Sequence, residues 1–172
     1  MDRLTEAAVA TENPFLLSYA LFADGTAIGD TDPARALEAY RRGLLVAQDS
    51  GNRFMESSIA YSLGRLEVTH GEMASAFANL SLAIRNMLDS GNSTTMRIPL
   101  ALLATALDRL GFSEAAATTV GFTCSPLAEM MYPEITAVIA RLRVILGDEN
   151  YEWLARRGET ITTAEMVAYA YD

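Results

Sequence analysis

The chain has 172 residues, 51% hydrophobic but only 8% aromatic, with a net charge of −9 and no lysine. That length suits one domain with a sizeable core, and the aliphatic composition suits packed helices rather than a β-sandwich. The acidic balance argues against general affinity for nucleic acid or anionic membrane, no run approaches the ~20 apolar residues of a spanning helix, and a lone Cys124 excludes an intrachain disulfide.

Residues 1–13, MDRLTEAAVATEN, mix charge with alanine and predict a frayed or partly ordered helix. They carry no signal-peptide core, so the chain reads as cytoplasmic. Asn13-Pro14 pairs a capping side chain with proline at the first helical position and predicts a helix running to about Ile28. Asp32-Pro33 repeats the device, and that helix ends at Gly51 with Ala36, Leu37, Tyr40, Leu44 and Ala47 on one stripe. A second hairpin is expected over 53–69 and 72–90. A third opens after Asn92, with Pro99 at its start or at a kink, and its second helix begins as AAATTV before losing the pattern at GFTCSP. Beyond it lie a short helix LAEMM after Ser125-Pro126 and a strongly amphipathic helix over 134–146. A short helix over 149–157 is expected to stop at Gly158, and Thr162-x-x-Glu165 forms a capping box before the last helix. No strand-period run competes, so the expected fold is all-α with about ten helices.

The stretch 58–83 organises the rest. Leu63-Gly64, Gly71-Glu72 and then Ala76, Leu80 and Ala83 place small residues where two antiparallel helices meet and large ones beside them. Gly71 is expected to supply the turn between those helices. The pattern recurs after 40 residues: Asp49-Ser50-Gly51-Asn52 returns as Asp89-Ser90-Gly91-Asn92, and Ala36 matches Ala76 and Ala116. In order and spacing this resembles a tetratricopeptide repeat with a lengthened period. The resemblance implies a right-handed superhelix of antiparallel hairpins over 1–172, with repeats at about 13–52, 53–92 and 93–123 and a C-terminal helical cap at 124–172.

The tail adds a second likeness. LGDENYEWLARRGETITTAEMVAYA, with Tyr151, Trp153, Arg157-Gly158, Met166-Val167 and Ala170, resembles the end of the helical domain in large bacterial LuxR-type regulators of the maltose-regulator class. The same domain is fused to nucleotide cyclases and ATPase modules in relatives of that class. The resemblance implies a regulatory sensor or protein-contact domain. The sequence holds neither a phosphate loop nor that family's helix-turn-helix, so direct DNA binding does not carry over.

Candidate residues are few. His70, before the Gly71 turn, suits a helix C-terminus and has no second histidine or cysteine to make a catalytic or metal pair. Cys124 reads as inert packing, Asp148, Glu149 and Glu152 as acids at a helix start, and the scattered methionines as gap fillers. Trp153 and Tyr151 are expected to be buried anchors of the cap. By the repeat resemblance, first helices line the concave face, which nominates Ser58, Tyr61, Arg65 and Thr69 in the second repeat. Ala101, Thr105, Asp108 and Arg109 follow in the third, and Ser18, Leu21 and Gly25 in the first. Arg65 and Arg109 are candidate contacts for a carboxylate-bearing partner, with Tyr61 beside them. The expectation is a non-enzymatic domain with no cofactor that binds a protein or peptide, another module of a larger parent chain, or a second copy of itself. The alternative is a small-molecule effector domain closing its concave groove over a ligand.

Overall fold

A computed structural model describes residues 3–92, 95–125, 130 and 132–171, with Arg3, Ala170 and Tyr171 as backbone only. The described elements are all helices: α1 (Arg3–Ala10), α2 (Pro14–Ile28), α3 (Pro33–Asp49), α4 (Arg53–His70), α5 (Met73–Asp89), α6 (Arg97–Arg109), α7 (Ser113–Thr123), α8 (Ile135–Leu146), α9 (Asp148–Thr160) and α10 (Thr163–Tyr171). Among the described residues no helix is long and apolar enough to cross a membrane. Apart from Met130, the expected LAEMM helix lies outside them. The chain divides into two compact units, residues 1–86 and 87–172, with the boundary inside α5.

In the first unit local chemistry sets the helix ends. The Asn13 side chain accepts from the backbone N–H groups of Phe15 (3.0 Å) and Leu16 (3.4 Å), Asp32 from Arg35 (3.1 Å), and Asn52 from Met55 (3.2 Å). At the other end of α3, Gly51 takes φ +67°, and the amides of Gly51 and Asn52 donate back to the carbonyls of Gln48 (3.0 Å) and Ala47 (2.9 Å). The second copy of the tetrapeptide does the same after α5, with Gly91 at φ +72°. The turn after α1 uses the same left-handed step, but the residue there is Glu12, at φ +53°.

The core of this unit is one cluster in which Ala36, Leu37, Tyr40, Leu44 and Ala47 of α3 meet Met55, Ile59, Ala60 and Leu63 of α4. Hairpin partners approach most closely at two glycines. A Cβ on Gly25 would stand 2.7 Å from the Tyr40 ring, and one on Gly64 would stand 2.8 Å from Leu80 Cγ and 3.3 Å from the Ala76 carbonyl oxygen. Gly64→Leu is therefore expected to lower stability by about 1–3 kcal/mol through overpacking. The helix-propensity gain on losing glycine is only about 1 kcal/mol in the opposite direction. A thermal melt in which this variant matches or exceeds the parent would show that the hairpin has room there.

Gly71 does not turn the chain by a left-handed conformation: its φ of −121° is extended. Glycine is needed for space, because a Cβ would lie 2.8–2.9 Å from Glu67. Glu67 is itself fully buried on α4. Its carboxylate accepts from Arg41 of α3 (3.0 Å) and from Ser75 (2.7 Å) and Asn79 (2.8 Å) of α5, joining three helices through one side chain. A second buried acid, Glu56, accepts from the Asn86 side-chain amide (2.9 Å), whose oxygen in turn accepts from Arg53 (2.6 Å).

In the second unit two glycines have a different meaning from the one their sequence context suggests. α7 runs through Gly121 and Phe122 to Thr123 rather than failing at GFTCSP, and α9 runs through Gly158 to Thr160 rather than stopping there. The two helices touch backbone to backbone. A Cβ on Gly121 would fall 2.0 Å from the Ala155 carbonyl oxygen, and one on Gly158 would fall 2.0 Å from that of Thr118. Only residues without a side chain fit at this crossing.

Pro99 is the third residue of α6, where the helix tolerates a missing N–H. Tyr151 is buried, as expected, and loss of solvent pushes its phenol pKa up to about 12 against the nearby Arg143 charge. Trp153 is not buried: it is 61% exposed. The buried stripe of α9 is Tyr151, Leu154, Ala155 and Gly158, and Trp153, two residues past Tyr151, points away from it. Arg143 lies over the Tyr151 ring and pairs with Asp148 (2.9 Å) and Glu152, so these acids hold α8 to the start of α9 as well as suiting its N-terminus. The capping box forms as expected. The Glu165 amide donates to the Thr162 hydroxyl oxygen (3.4 Å), and the Thr162 hydroxyl (2.6 Å) and amide (2.9 Å) both donate to the Glu165 carboxylate, holding that carboxyl below the usual range.

Candidate functional site

The nominated residues of α4 are accessible. Ser58 and Tyr61 are half-buried, and Arg65 and Thr69 are exposed. The Ser58 hydroxyl donates to the Phe54 carbonyl (2.9 Å), and Tyr61 packs partly on the core cluster, as Phe22 of α2 does. The opposite face of α4 is the buried one, carrying Met55, Ile59, Leu63 and Glu67.

The first-repeat positions need correction by one residue. Ser18, Leu21 and Gly25 are buried and so line no open face. The helix-capping residues Asn13 and Asn52 are 39 residues apart, as are Gly25 and Gly64, although α3 and α5 keep the 40-residue spacing. The equivalents of Ser58, Tyr61 and Arg65 in α2 are therefore Tyr19, Phe22 and Thr26. With that register two matching rows appear, Phe15–Tyr19–Phe22–Thr26 and Phe54–Ser58–Tyr61–Arg65. Each row follows the i, i+4, i+7, i+11 spacing of one helix face.

The α2 row carries two exposed rings and the α4 row one. Phe15 is 43% exposed, Tyr19 49% and Phe54 72%. Phe15 and Tyr19 stack at 6.3 Å between centroids, Tyr19 and Phe22 follow at 6.4 Å, and Phe22 meets Tyr40 at 6.2 Å. The Tyr40 and Thr26 hydroxyls are 3.1 Å apart, so the ladder ends on a hydrogen bond that fixes its inner ring. Sequence reasoning missed Phe15, Tyr19, Phe22 and Phe54 as a set. The 39-residue spacing of the capping asparagines was the signal that could have found them.

The third-repeat nominees behave differently. Ala101, Thr105 and Asp108 are buried, because α8 and Tyr132 pack over that side of α6. The Thr105 and Tyr132 hydroxyls are 3.1 Å apart, and Asp108 Oδ2 forms an ion pair with Arg141 Nε at 3.2 Å while Oδ1 has no hydrogen-bond partner among the described residues. Arg109 alone of the four is exposed. Thr105 and Asp108 are thus part of a polar seam within the second unit and do not offer a docking face. Cys124, expected as packing, is exposed. Among the described residues no group of three His, Cys, Asp or Glu side chains converges as metal ligands would.

Comparison with protein-family models, with curated proteins and with solved structures returned no match.

Proposed function

We propose that this chain is a non-enzymatic helical-repeat domain, of tetratricopeptide-like superhelical build, that binds a protein or peptide through the first-helix face of its hairpins. The observation that carries the reading is the row of aromatic side chains on α2, with Phe15 and Tyr19 exposed, matched in register on α4 by exposed Phe54 and half-buried Tyr61. Such rings, clustered rather than scattered, are the residue types that supply binding energy at protein interfaces. Arg65 at the end of one row adds a donor for a partner carboxylate. The likeness of the tail to bacterial LuxR-type regulators supports a regulatory role for that binding, in contact with a neighbouring module or a separate protein.

The test begins with peptides selected from a displayed random library on the purified chain. Synthetic copies are then titrated against the parent and against Tyr19→Ser with Phe54→Ser. Both residues are exposed, so the double variant is expected to melt within about 2 °C of the parent. Its affinity for the selected peptides is expected to fall at least tenfold, the equivalent of about 1.4 kcal/mol. Unchanged affinity in the folded double variant would move the working surface elsewhere. Saturable nucleotide hydrolysis by the purified chain would overturn the non-enzymatic reading.

A further inference from the structure

Across α2 from the aromatic row lies a hollow of about 300 Å³ walled by Ala8 and Val9 of α1, Pro14 and Leu17 of α2, and Val46 of α3. Leu17 stands two positions from both Phe15 and Tyr19, so the hollow and the row occupy different flanks of the helix. Its volume is at the lower end of the ~300–1,000 Å³ of ligand sites, enough for one large side chain. Glu12 lines it as well, and Glu12 is the residue held at φ +53°.

That position is informative because the chain ends helices with a left-handed residue at three other turns as well, and there it uses Gly51, Gly91 and Gly111. The backbone would be served better by glycine, since an L-residue in this region is strained. The turn alone therefore does not account for a glutamate. Among the described residues the Glu12 carboxylate has no hydrogen-bond or ion-pair partner, and the residue is exposed. The Asn13 side-chain oxygen is occupied by the α2 amides. The hollow thus offers apolar walls and one free negative charge, without the convergent polar groups that orient a metabolite.

We propose that this hollow docks a basic amphipathic helix of a partner protein, with one aliphatic side chain seated between Val9, Leu17 and Val46 and a neighbouring lysine or arginine paired with Glu12. The net charge of −9 favours the approach of such a segment and disfavours an acidic one. The proposal stands independently of the aromatic rows.

The probe is a fluorescein-labelled 16-residue helical peptide with leucines on one stripe and lysines flanking it, followed by anisotropy at low and physiological salt. Saturable binding is expected, weakening as salt rises. A twin peptide with glutamate for every lysine is expected not to bind. Glu12→Gln is expected to lower affinity roughly three- to fivefold, as for an exposed ion pair. Glu12→Gly should do the same while raising Tm by a few degrees through relief of the turn, roughly as for other glycine replacements at such sites. Val9→Trp, at an exposed position, should plug the hollow and reduce binding more than tenfold with Tm unchanged. Equal binding of the acidic twin would overturn the proposal. So would parent-like affinity in both Glu12→Gln and Val9→Trp, or a self-association that Val9→Trp abolishes, which would make a second copy of this chain the occupant.

Discussion

Gly158→Ala is expected to destabilise the second unit by about 3 kcal/mol or more, the upper end of overpacking or beyond. The new Cβ would lie 2.0 Å from the Thr118 carbonyl oxygen and 2.8 Å from the Phe122 nitrogen. Neither atom is a side-chain tip that can swing aside, so α7 and α9 must separate. Glycine to alanine inside a helix would otherwise stabilise by about 1 kcal/mol. The sign of the change is therefore diagnostic. At about 2–4 °C per kcal/mol for a chain of this size, Tm should fall by roughly 6–12 °C. Gly121→Ala should behave alike, since its Cβ meets the Ala155 carbonyl oxygen at 2.0 Å. The double variant should lose much less than the two losses added together, because helices already forced apart by one methyl accommodate the other. A rise in Tm for either single variant would mean that the crossing is looser than the structure has it.

Glu67→Ala is expected to cost about 3–5 kcal/mol, through the cavity it opens and the buried donors it leaves without an acceptor. It would leave Ser75 and Asn79 facing a cavity and release Arg41. Glu67→Gln should cost much less. Its oxygen can still accept from Arg41 and Ser75, and a rotated Asn79 amide can present its own oxygen to the new NH2 group. Arg41→Ala should cost about 3 kcal/mol, since it leaves the fully buried Glu67 carboxylate without its counter-charge and with only Ser75 and Asn79 to satisfy it. Urea unfolding of the three variants gives the order directly. Equal losses for alanine and glutamine would assign the effect to charge alone rather than to the hydrogen bonds.

The boundaries of the early helices were legible in the sequence because they depend on neighbours in the chain. Asn13-Pro14, Asp32-Pro33, the two DSGN turns and the Thr162–Glu165 box each carry their own hydrogen-bond partners. Gly121 and Gly158 were not legible. Glycine both ends helices and lets them touch, and only the partner helix distinguishes the two uses. Trp153 was misplaced by size, since a large ring suggests burial, although the spacing of Tyr151, Leu154 and Gly158 already put it on the other side. Glu67 left a trace that composition hides: it falls on the same stripe as Ile59, Leu63 and Gly64, where a charge must find partners. The aromatic rows were obscured by a single-residue difference between the 39- and 40-residue spacings. That one-position shift turns a side chain on a helix by about 100°.

The α7–α9 crossing has a consequence for how the protein is made. Each hairpin of the first unit closes between helices adjacent in sequence, so its faces are covered almost as soon as they are synthesised. Gly121 and Gly158 are 37 residues apart. At about 5–20 residues per second, α7 waits roughly two to seven seconds for α9 to be translated. During that interval its bare backbone face is open to any other helix that can approach closely. A holdase that recognises small-residue helical faces, or a slowing of translation before Asp148, would act on this protein at that point and leave the first unit untouched.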